Sequence, residues 1–343
     1  MSEIQQKNNE NYQFQKIITT VGIILLIIKF FAWYLTSSVA VLTDALESIV
    51  NVISGFIGLY SLYLSALPRD KNHPYGHGKV EFISAFVEGT LIAIAGIIIV
   101  YEAIGNLRNH TTITQIDYGI YLVAFTAIIN YLLGYFAIKK GRKNHSLALI
   151  ASGKHLQTDT YSTLGIILGL IIIQITHIYW LDAIVALVFA GIIIYTGYKI
   201  IRSSVSGIMD ETDDKLLNEV VELLNKERNV NWIDLHNLRI IKYGSTLHFD
   251  CHMTVPWYFN IKEGHHEVDK LEDIVKEYFG DRVEFFVHLD ACKDYSCQIC
   301  EKEDCPVRQQ PFVRKIDWTT DNISKNEKHI VGSYKSDGYN GYK

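Results

Sequence analysis

Charged residues are scarce in this sequence and nearly absent from long parts of it. Asp, Glu, Lys and Arg make up 20% of the 343 residues, whereas 49% are hydrophobic. Between Ile17 and Ile201 the apolar residues fall into six segments, each close to the roughly 20 residues that a helix needs to cross a bilayer. Helices of soluble proteins are rarely this apolar on every face, which excludes a soluble protein. The sequence therefore predicts an integral membrane protein.

The six spans are bounded by short or polar connections. They are predicted at Lys16–Leu35, Val39–Leu64, Ile83–Leu107, Tyr118–Ile138, Leu147–Thr176 and Trp180–Ile201. The first stretch lacks a small-residue cleavage site, so no cleavable signal is expected. Basic residues cluster in the connections after the second and fourth spans, and such loops face the cytoplasm. Both termini are therefore predicted to be cytoplasmic, in a protein of the cell membrane.

The last third of the chain has the composition of soluble protein. After the six-helix bundle of residues 1–209, residues 210–291 alternate between helical and strand periodicity in the order αββαβ. This order predicts a small ferredoxin-like α+β domain with helices on one face of a sheet. A cysteine-rich extension follows at 292–308, and the polar residues 309–343 are predicted to be a disordered tail.

Ionisable side chains interrupt the second and fifth predicted spans. Glu47 and Asn51 are four residues apart, as are His155 and Asp159, so each pair projects from one face of a helix. Groups at such depth are costly unless they are partnered or hydrated, which makes them functional candidates. Together the two faces offer four oxygen or nitrogen ligands to a divalent metal ion.

Three strings of residues carry a resemblance to a known family. They are Asn72-His73-Pro74-Tyr75-Gly76-His77-Gly78-Lys79 after the second span, His155-x-x-x-Asp159 on the fifth, and Ser38–Ala45 before Glu47. In their order and on these elements, they make the chain similar to the cation diffusion facilitator family over roughly Ile17–Asp290. The resemblance implies a homodimer in the lipid bilayer that exports a divalent metal, usually Zn²⁺, in exchange for protons.

The resemblance also implies where the transported metal binds. The family takes two ligands from each of the second and fifth helices, at positions that read Glu47, Asn51, His155 and Asp159 here. The helix-two pair departs from the usual Asp or His followed by Asp. Asn51 either binds through its amide oxygen or hydrogen-bonds a neighbouring ligand while water completes the shell. Asp44, one turn before Glu47, is either a substitute ligand or proton carrier, or a helix-packing residue.

Two further metal sites are implied outside the spans. In the loop after the second span, Asp70, His73 and His77 correspond to a peripheral site. In the soluble domain, His236 and His252 would bind one regulatory ion and His265 and His288 a second, with Asp290 bridging them. The implied role of these ions is to sense cytoplasmic metal and tighten the dimer.

The family core does not explain a cluster of thiols. Four of the five cysteines, Cys292, Cys297, Cys300 and Cys305, fall within fourteen residues of a segment predicted to be cytoplasmic, where disulfides are disfavoured. Clustered thiolates with a C-x-x-C step suit a tetrahedral zinc site. A redox pair and free thiols are the alternatives.

Other functions were weighed against metal export. Zinc is the leading substrate because imidazole favours it, with iron, cobalt, cadmium and manganese as alternatives. A membrane zinc hydrolase would carry a string such as H-E-x-x-H, which does not occur. A membrane metal sensor without transport would need no ligands within the spans. The soluble domain is acidic and has no basic stripe, so no nucleic-acid partner is expected. Because the hydrolase string is missing, no enzyme activity is predicted.

Overall fold

The computed structural model describes residues 3–36, 39–109, 117–176, 180–244, 246–280 and 282–332. The chain divides into two compact units. The first comprises Met1–Met209 with Tyr243–Ser245, and the second comprises Asp210–Lys242 with Thr246–Lys343.

The first unit is built from six long helices. They are α1 (Glu3–Thr36), α2 (Val39–Ser65), α3 (Val80–Asn109), α4 (Asp117–Asn144), α5 (Leu147–Thr176) and α6 (Trp180–Ile208). Glycines allow two pairs of these helices to approach closely. A Cβ on Gly197 of α6 would lie 2.8 Å from the carbonyl oxygen of Gly89 on α3, and one on Gly134 of α4 would lie 2.7 Å from that of Gly153 on α5.

Two stretches of the described residues are long and apolar enough to cross a membrane, Asn9–Phe31 and Val80–Gly105. The count of six spans therefore remains a prediction from the sequence. Helix α1 begins well before the predicted Lys16, and the polar side chains of its first turns have partners on α4. Asn144 donates a 2.6 Å hydrogen bond to Asn11, and Lys140 lies 3.1 Å from Glu10.

The second unit contains the predicted αββαβ arrangement. Its elements are α7 (Asp214–Lys226), β1 (Asp234–Tyr243), β2 (Thr246–Val255), α8 (Ile261–Phe279) and β3 (Val283–Ala291). Strand β2 lies in the middle of the sheet and pairs in parallel with β3, so that His252 lies opposite His288 and Thr254 opposite Asp290.

Alternation along the strands separates a buried face from the metal-ligand face. Phe249, Met253, Leu271 and Val275 are fully buried in the core that α8 and the sheet enclose. Successive strand side chains point to opposite faces. His252 therefore projects from the face opposite Met253, away from this core.

The prediction of a disordered tail is wrong for residues 309–332. Trp318 and Ile323 are 2% and 0% exposed and belong to the core of the second unit. Asn225 of α7 donates a 2.7 Å hydrogen bond to the Trp318 carbonyl oxygen, and the Arg228 guanidinium lies 4.1 Å from the centre of the Trp318 ring. The few apolar residues of this segment are placed where the core can bury them, which average composition does not reveal. Residues 333–343 lie outside the described part.

These contacts make residues 309–332 part of the folded unit, so that residues 292–332 form one C-terminal extension. A substitution tests whether Trp318 belongs to the core. Trp318→Ala should destabilise the second unit by about 3–5 kcal/mol, the usual cost of emptying a buried aromatic position. Phe312→Ala is the control, because Phe312 is 46% exposed in the same extension. Amide hydrogen exchange of α8 in the purified chain reports the change. Equal protection of α8 in both variants would contradict the assignment of Trp318 to the core.

Candidate metal centres

Side chains of α2 and α5 meet at Asn51, His155 and Asp159. The Asn51 side-chain nitrogen donates to Asp159 Oδ2, and the Asn51 oxygen is in close contact with His155 Nε2. His155 is 4% exposed and Asp159 is partly buried. Helix periodicity explains the arrangement on α5, because residues four apart lie one above the other. A single amide on α2 therefore joins both predicted ligands of α5.

The contact with Asn51 uses one ring nitrogen of His155, Nε2. Among the described residues, the other ring nitrogen of His155, Nδ1, has no hydrogen-bond partner. An imidazole, a carboxylate and an amide oxygen, all of which can act as metal ligands, thus meet at one point.

Two predicted residues of this site cannot be placed. Glu47 lies one turn before Asn51 on α2, and Asp44 lies a further turn towards its beginning. The side chains of both residues lie outside the described part of the structure. Their roles as ligands remain predictions.

A second polar contact lies beside this group. Glu88 of α3 is fully buried, and both of its carboxylate oxygens lie 3.2 Å from the hydroxyl of Ser152 on α5. Ser152 precedes His155 by three residues, so both belong to the same side of α5. The sequence signal for Glu88 is a lone carboxylate in an apolar span.

The loop between α2 and α3 brings its three predicted ligands together. His73 Nδ1 lies 3.1 Å from Asp70 Oδ1, and His77 Nε2 lies 3.4 Å from Asp70 Oδ2. One ligand atom of each residue lies within 4.8 Å of the other two. Backbone N–H groups, first that of His73 at 2.7 Å, lower the pKa of Asp70. Gly76, with φ of +91°, turns the loop between the two histidines. These atoms can hold one exposed metal ion.

A second cluster forms on the face of the soluble sheet that lies opposite the buried core. Asp290 Oδ2 lies 3.6 Å from His236 Nε2 and 3.4 Å from His252 Nδ1, which joins three strands at one point. Burial, together with the neighbouring His236 and His288, lowers the pKa of His252 despite the opposing Asp290 carboxylate, which favours the neutral, metal-binding imidazole. Lys328 Nζ also lies 3.5 Å from Asp290 Oδ1. A cation from the extension thus faces the carboxylate that a metal would use.

Of the two remaining predicted ligands of this domain, His288 lies near the cluster and His265 does not. His288 stands beside the cluster, with its ring 4.7 Å from that of His252 and its Nε2 3.9 Å from Asp290 Oδ1. His265 instead pairs with Asp269 one helical turn along α8, at 3.3 Å, and its side chain is 71% exposed. The structure therefore groups His236, His252 and Asp290, places His288 at their edge, and does not bring His265 to them.

Sequence reasoning missed the carboxylate that orients His236. Asp234 Oδ2 lies 3.1 Å from His236 Nδ1, and the other oxygen of Asp234 contacts His329 of the extension. A carboxylate on the far nitrogen of a ligating histidine fixes its tautomer and orientation. The signal was the i, i+2 spacing of Asp234 and His236, which places both on one strand face.

Acid should weaken the second unit through Asp234. Burial alone would raise its pKa, but the adjacent His236 and the hydrogen-bonded His329 prevail and bring the pKa to about 2. The folded pKa lies below the ordinary value of 3.8, so the stabilisation is present above about pH 4 and disappears as pH falls towards 2. It corresponds to about 2 kcal/mol.

Urea unfolding of the purified chain between pH 3 and pH 6 measures this contribution. Asp234→Asn should lower the unfolding midpoint of the second unit at pH 6 and flatten its decline in acid. The exposed Asp273 on α8 supplies the control, Asp273→Asn. Parallel pH profiles for wild type and Asp234→Asn would contradict the assignment.

The four clustered thiols also share one location. Cys292, Cys297, Cys300 and Cys305 line a cavity of about 10 Å³ next to β3, and none of them forms a disulfide. Beneath it, Ile299 and Cys300 pack against Ile233 in a small buried cluster.

Comparison with known proteins finds family profiles that match both parts of the chain. The profile of the cation efflux transmembrane domain matches residues 16–209, and that of the cation efflux protein cytoplasmic domain matches residues 212–292. An uncharacterized transporter of Synechocystis sp. is 30% identical over 268 residues, which cover 78% of this chain and 86% of that protein.

Two further relatives carry functional names. The manganese efflux system protein MneP of Bacillus subtilis is 27% identical over 80% of this chain and 94% of its own length. The cation-efflux pump FieF of Escherichia coli is 26% identical over 80% of this chain and 90% of its own length. The chain belongs to the cation efflux, or cation diffusion facilitator, family, and it is a membrane-integral transporter of divalent metal cations rather than an enzyme.

Proposed function

We propose that this protein exports a divalent transition metal from the cytoplasm in exchange for protons, with Glu47, Asn51, His155 and Asp159 as the transport site. The observation that carries the proposal is the joint contact of Asn51 on α2 with His155 and Asp159 on α5. A sensor would not need ligands within the spans, because the cytoplasmic clusters suffice for metal detection.

Proton exchange follows from the chemistry of the ligands. Imidazole and carboxylate groups must lose protons before they bind a metal, so binding expels protons and protonation expels the metal. The Asn51 amide bridges His155 and Asp159. An entering ion replaces these hydrogen bonds, and alternating exposure of the site to the two sides then couples metal export to proton entry.

The donor set favours zinc as the first substrate to test. The imidazole of His155 suits Zn²⁺, whereas Mn²⁺ prefers surroundings made only of oxygen. Manganese is the second candidate for a specific reason. Asn51 contributes a neutral oxygen where a carboxylate is usual, and the Bacillus subtilis relative MneP is named as a manganese efflux protein.

The cytoplasmic clusters are proposed to regulate transport in a homodimer. His236, His252 and Asp290, whose ligand atoms lie within 4.8 Å of one another, would hold one ion. On β3 beside them, Phe286 is 75% exposed and the His288 side chain is 61% exposed. The exposed Phe286, next to a histidine outside the three-residue cluster, fits a surface that a second copy of the chain covers. Both termini are proposed to lie in the cytoplasm.

Flux measurements in proteoliposomes test the proposed function. With purified chain and an acidic lumen, external Zn²⁺ should enter while protons leave, and Mn²⁺, Fe²⁺, Co²⁺ and Cd²⁺ rank the substrates. Metal binding without metal entry would support a sensor instead. Metal entry that is indifferent to the proton gradient would contradict the exchange.

A further inference from the structure

We propose that Cys292, Cys297, Cys300 and Cys305 together bind one thiophilic metal ion, most simply Zn²⁺, which fastens the C-terminal extension to the end of β3. The site is independent of the transport ligands and lies outside the family's cytoplasmic domain except for Cys292, since that domain ends at residue 292. It contains sulfur ligands, whereas the other clusters contain nitrogen and oxygen.

The first observation is convergence on a single small space. All four cysteines line the cavity of about 10 Å³, which is close to the volume that one water-sized particle requires. No three of the four sulfur atoms lie within 4.8 Å of one another, unlike the ligand atoms of the two histidine clusters. Zinc–sulfur bonds of about 2.3 Å would draw the four sulfur atoms inwards around one ion.

The second observation is that backbone N–H groups point at the sulfur atoms. The N–H of Trp257 lies 3.4 Å from Cys292 Sγ, and that of Gln309 lies 3.5 Å from Cys297 Sγ. A thiolate accepts such hydrogen bonds better than a thiol does, because the charge strengthens the bond. Two donors from separate parts of the chain are therefore placed to stabilise thiolates against the burial that raises the pKa of Cys292 and Cys300.

The third observation is a positive charge held beside the thiols. Arg308 lines the same cavity and donates hydrogen bonds to the carbonyl oxygens of Cys297 and Cys300 at 3.0 Å and of Lys302 at 2.7 Å. A divalent ion with four thiolates carries a net charge of about −2, which a neighbouring guanidinium stabilises. Arg308 therefore holds the cysteine loop by its backbone and places a positive charge next to the proposed thiolate–metal group.

A redox pair explains these observations less completely. A disulfide requires two cysteines, whereas all four of these line one cavity. Cytosolic thiols are kept reduced, and reduced thiols near a soft-metal cavity bind zinc. The consequence is structural, because Cys292 directly follows β3 and the bound ion would fix the chain that continues to Trp318 and Lys328.

Cobalt substitution of the full-length chain tests the site. Anaerobically purified protein in detergent is freed of metal and titrated with Co²⁺. A tetrahedral thiolate site should give a thiolate-to-cobalt charge-transfer band in the near ultraviolet and intense ligand-field bands in the red. Sites of nitrogen and oxygen give no such charge-transfer band, so the result does not depend on transport. Absence of this band in wild-type protein overturns the proposal.

Variants locate the signal. Cys297→Ser combined with Cys300→Ser should remove the charge-transfer band and lower the zinc content by about one ion per chain. The control is Cys251→Ala, which alters the fifth cysteine, buried in the core of the sheet, and should leave the band in place. An unchanged zinc content in the double variant, or a mass showing that the thiols are oxidised in pairs without the cobalt band, overturns the proposal.

Discussion

Asp159→Asn should abolish metal transport while leaving the protein folded. The substitution keeps the size of the side chain but removes the only charge that the structure describes at the α2–α5 contact, so the metal loses its anionic ligand. Loss of a partner that merely orients a ligand already costs about 10–100-fold, so we expect a loss of transport of about 100-fold or more. Metal-dependent proton flux in proteoliposomes measures it.

The matched control for this variant is a substitution of the preceding residue, Thr158. Thr158→Ser keeps a hydroxyl that bonds to the Lys154 carbonyl oxygen of its own helix at 2.9 Å. It should transport at close to the wild-type rate, which excludes a general effect of substitutions on α5. Vigorous transport by Asp159→Asn would remove Asp159 from the transport site.

Asn51→Asp should change proton coupling rather than abolish transport. The new carboxylate would face Asp159, where the amide nitrogen now donates a hydrogen bond. Two adjacent carboxylates share a proton because they cannot both be charged at low cost. Metal binding should then release about one additional proton per ion and depend more steeply on pH.

A pH-indicator titration of the purified variant with Zn²⁺ and Mn²⁺ measures the proton release. The replacement of a neutral ligand by an anionic one should also change the ratio of the two metal affinities. The conservative control is Thr158→Ser, which leaves all three contacting side chains in place. If Asn51→Asp releases the same number of protons as wild type for both metals, Asn51 does not border the transport site.

Sequence spacing predicted those parts of the sites that depend on local periodicity. His155 and Asp159 share a face of α5 because they are four residues apart, and the three loop ligands are neighbours in the chain. These relations hold for any packing of the elements, so the sequence was sufficient.

Relations between distant segments could not be predicted in the same way. Asp234 contacts His329, and Asp290 faces Lys328, because the extension folds back onto the sheet. The sequence suggested disorder there, since a single tryptophan and a few aliphatic residues are a weak signal among many polar ones. The pairing of His265 with Asp269 was different, because its i, i+4 spacing was available in the sequence and gave a local alternative to metal binding.

The account rests on a cation bound jointly by α2 and α5, and an anomalous difference map of metal-loaded crystals tests this most directly. We expect a peak between Asn51 and the His155–Asp159 pair, at bonding distances of about 2.0–2.2 Å from an imidazole nitrogen and a carboxylate oxygen. Peaks confined to the loop and cytoplasmic clusters, with none between these helices at saturating metal, would contradict it.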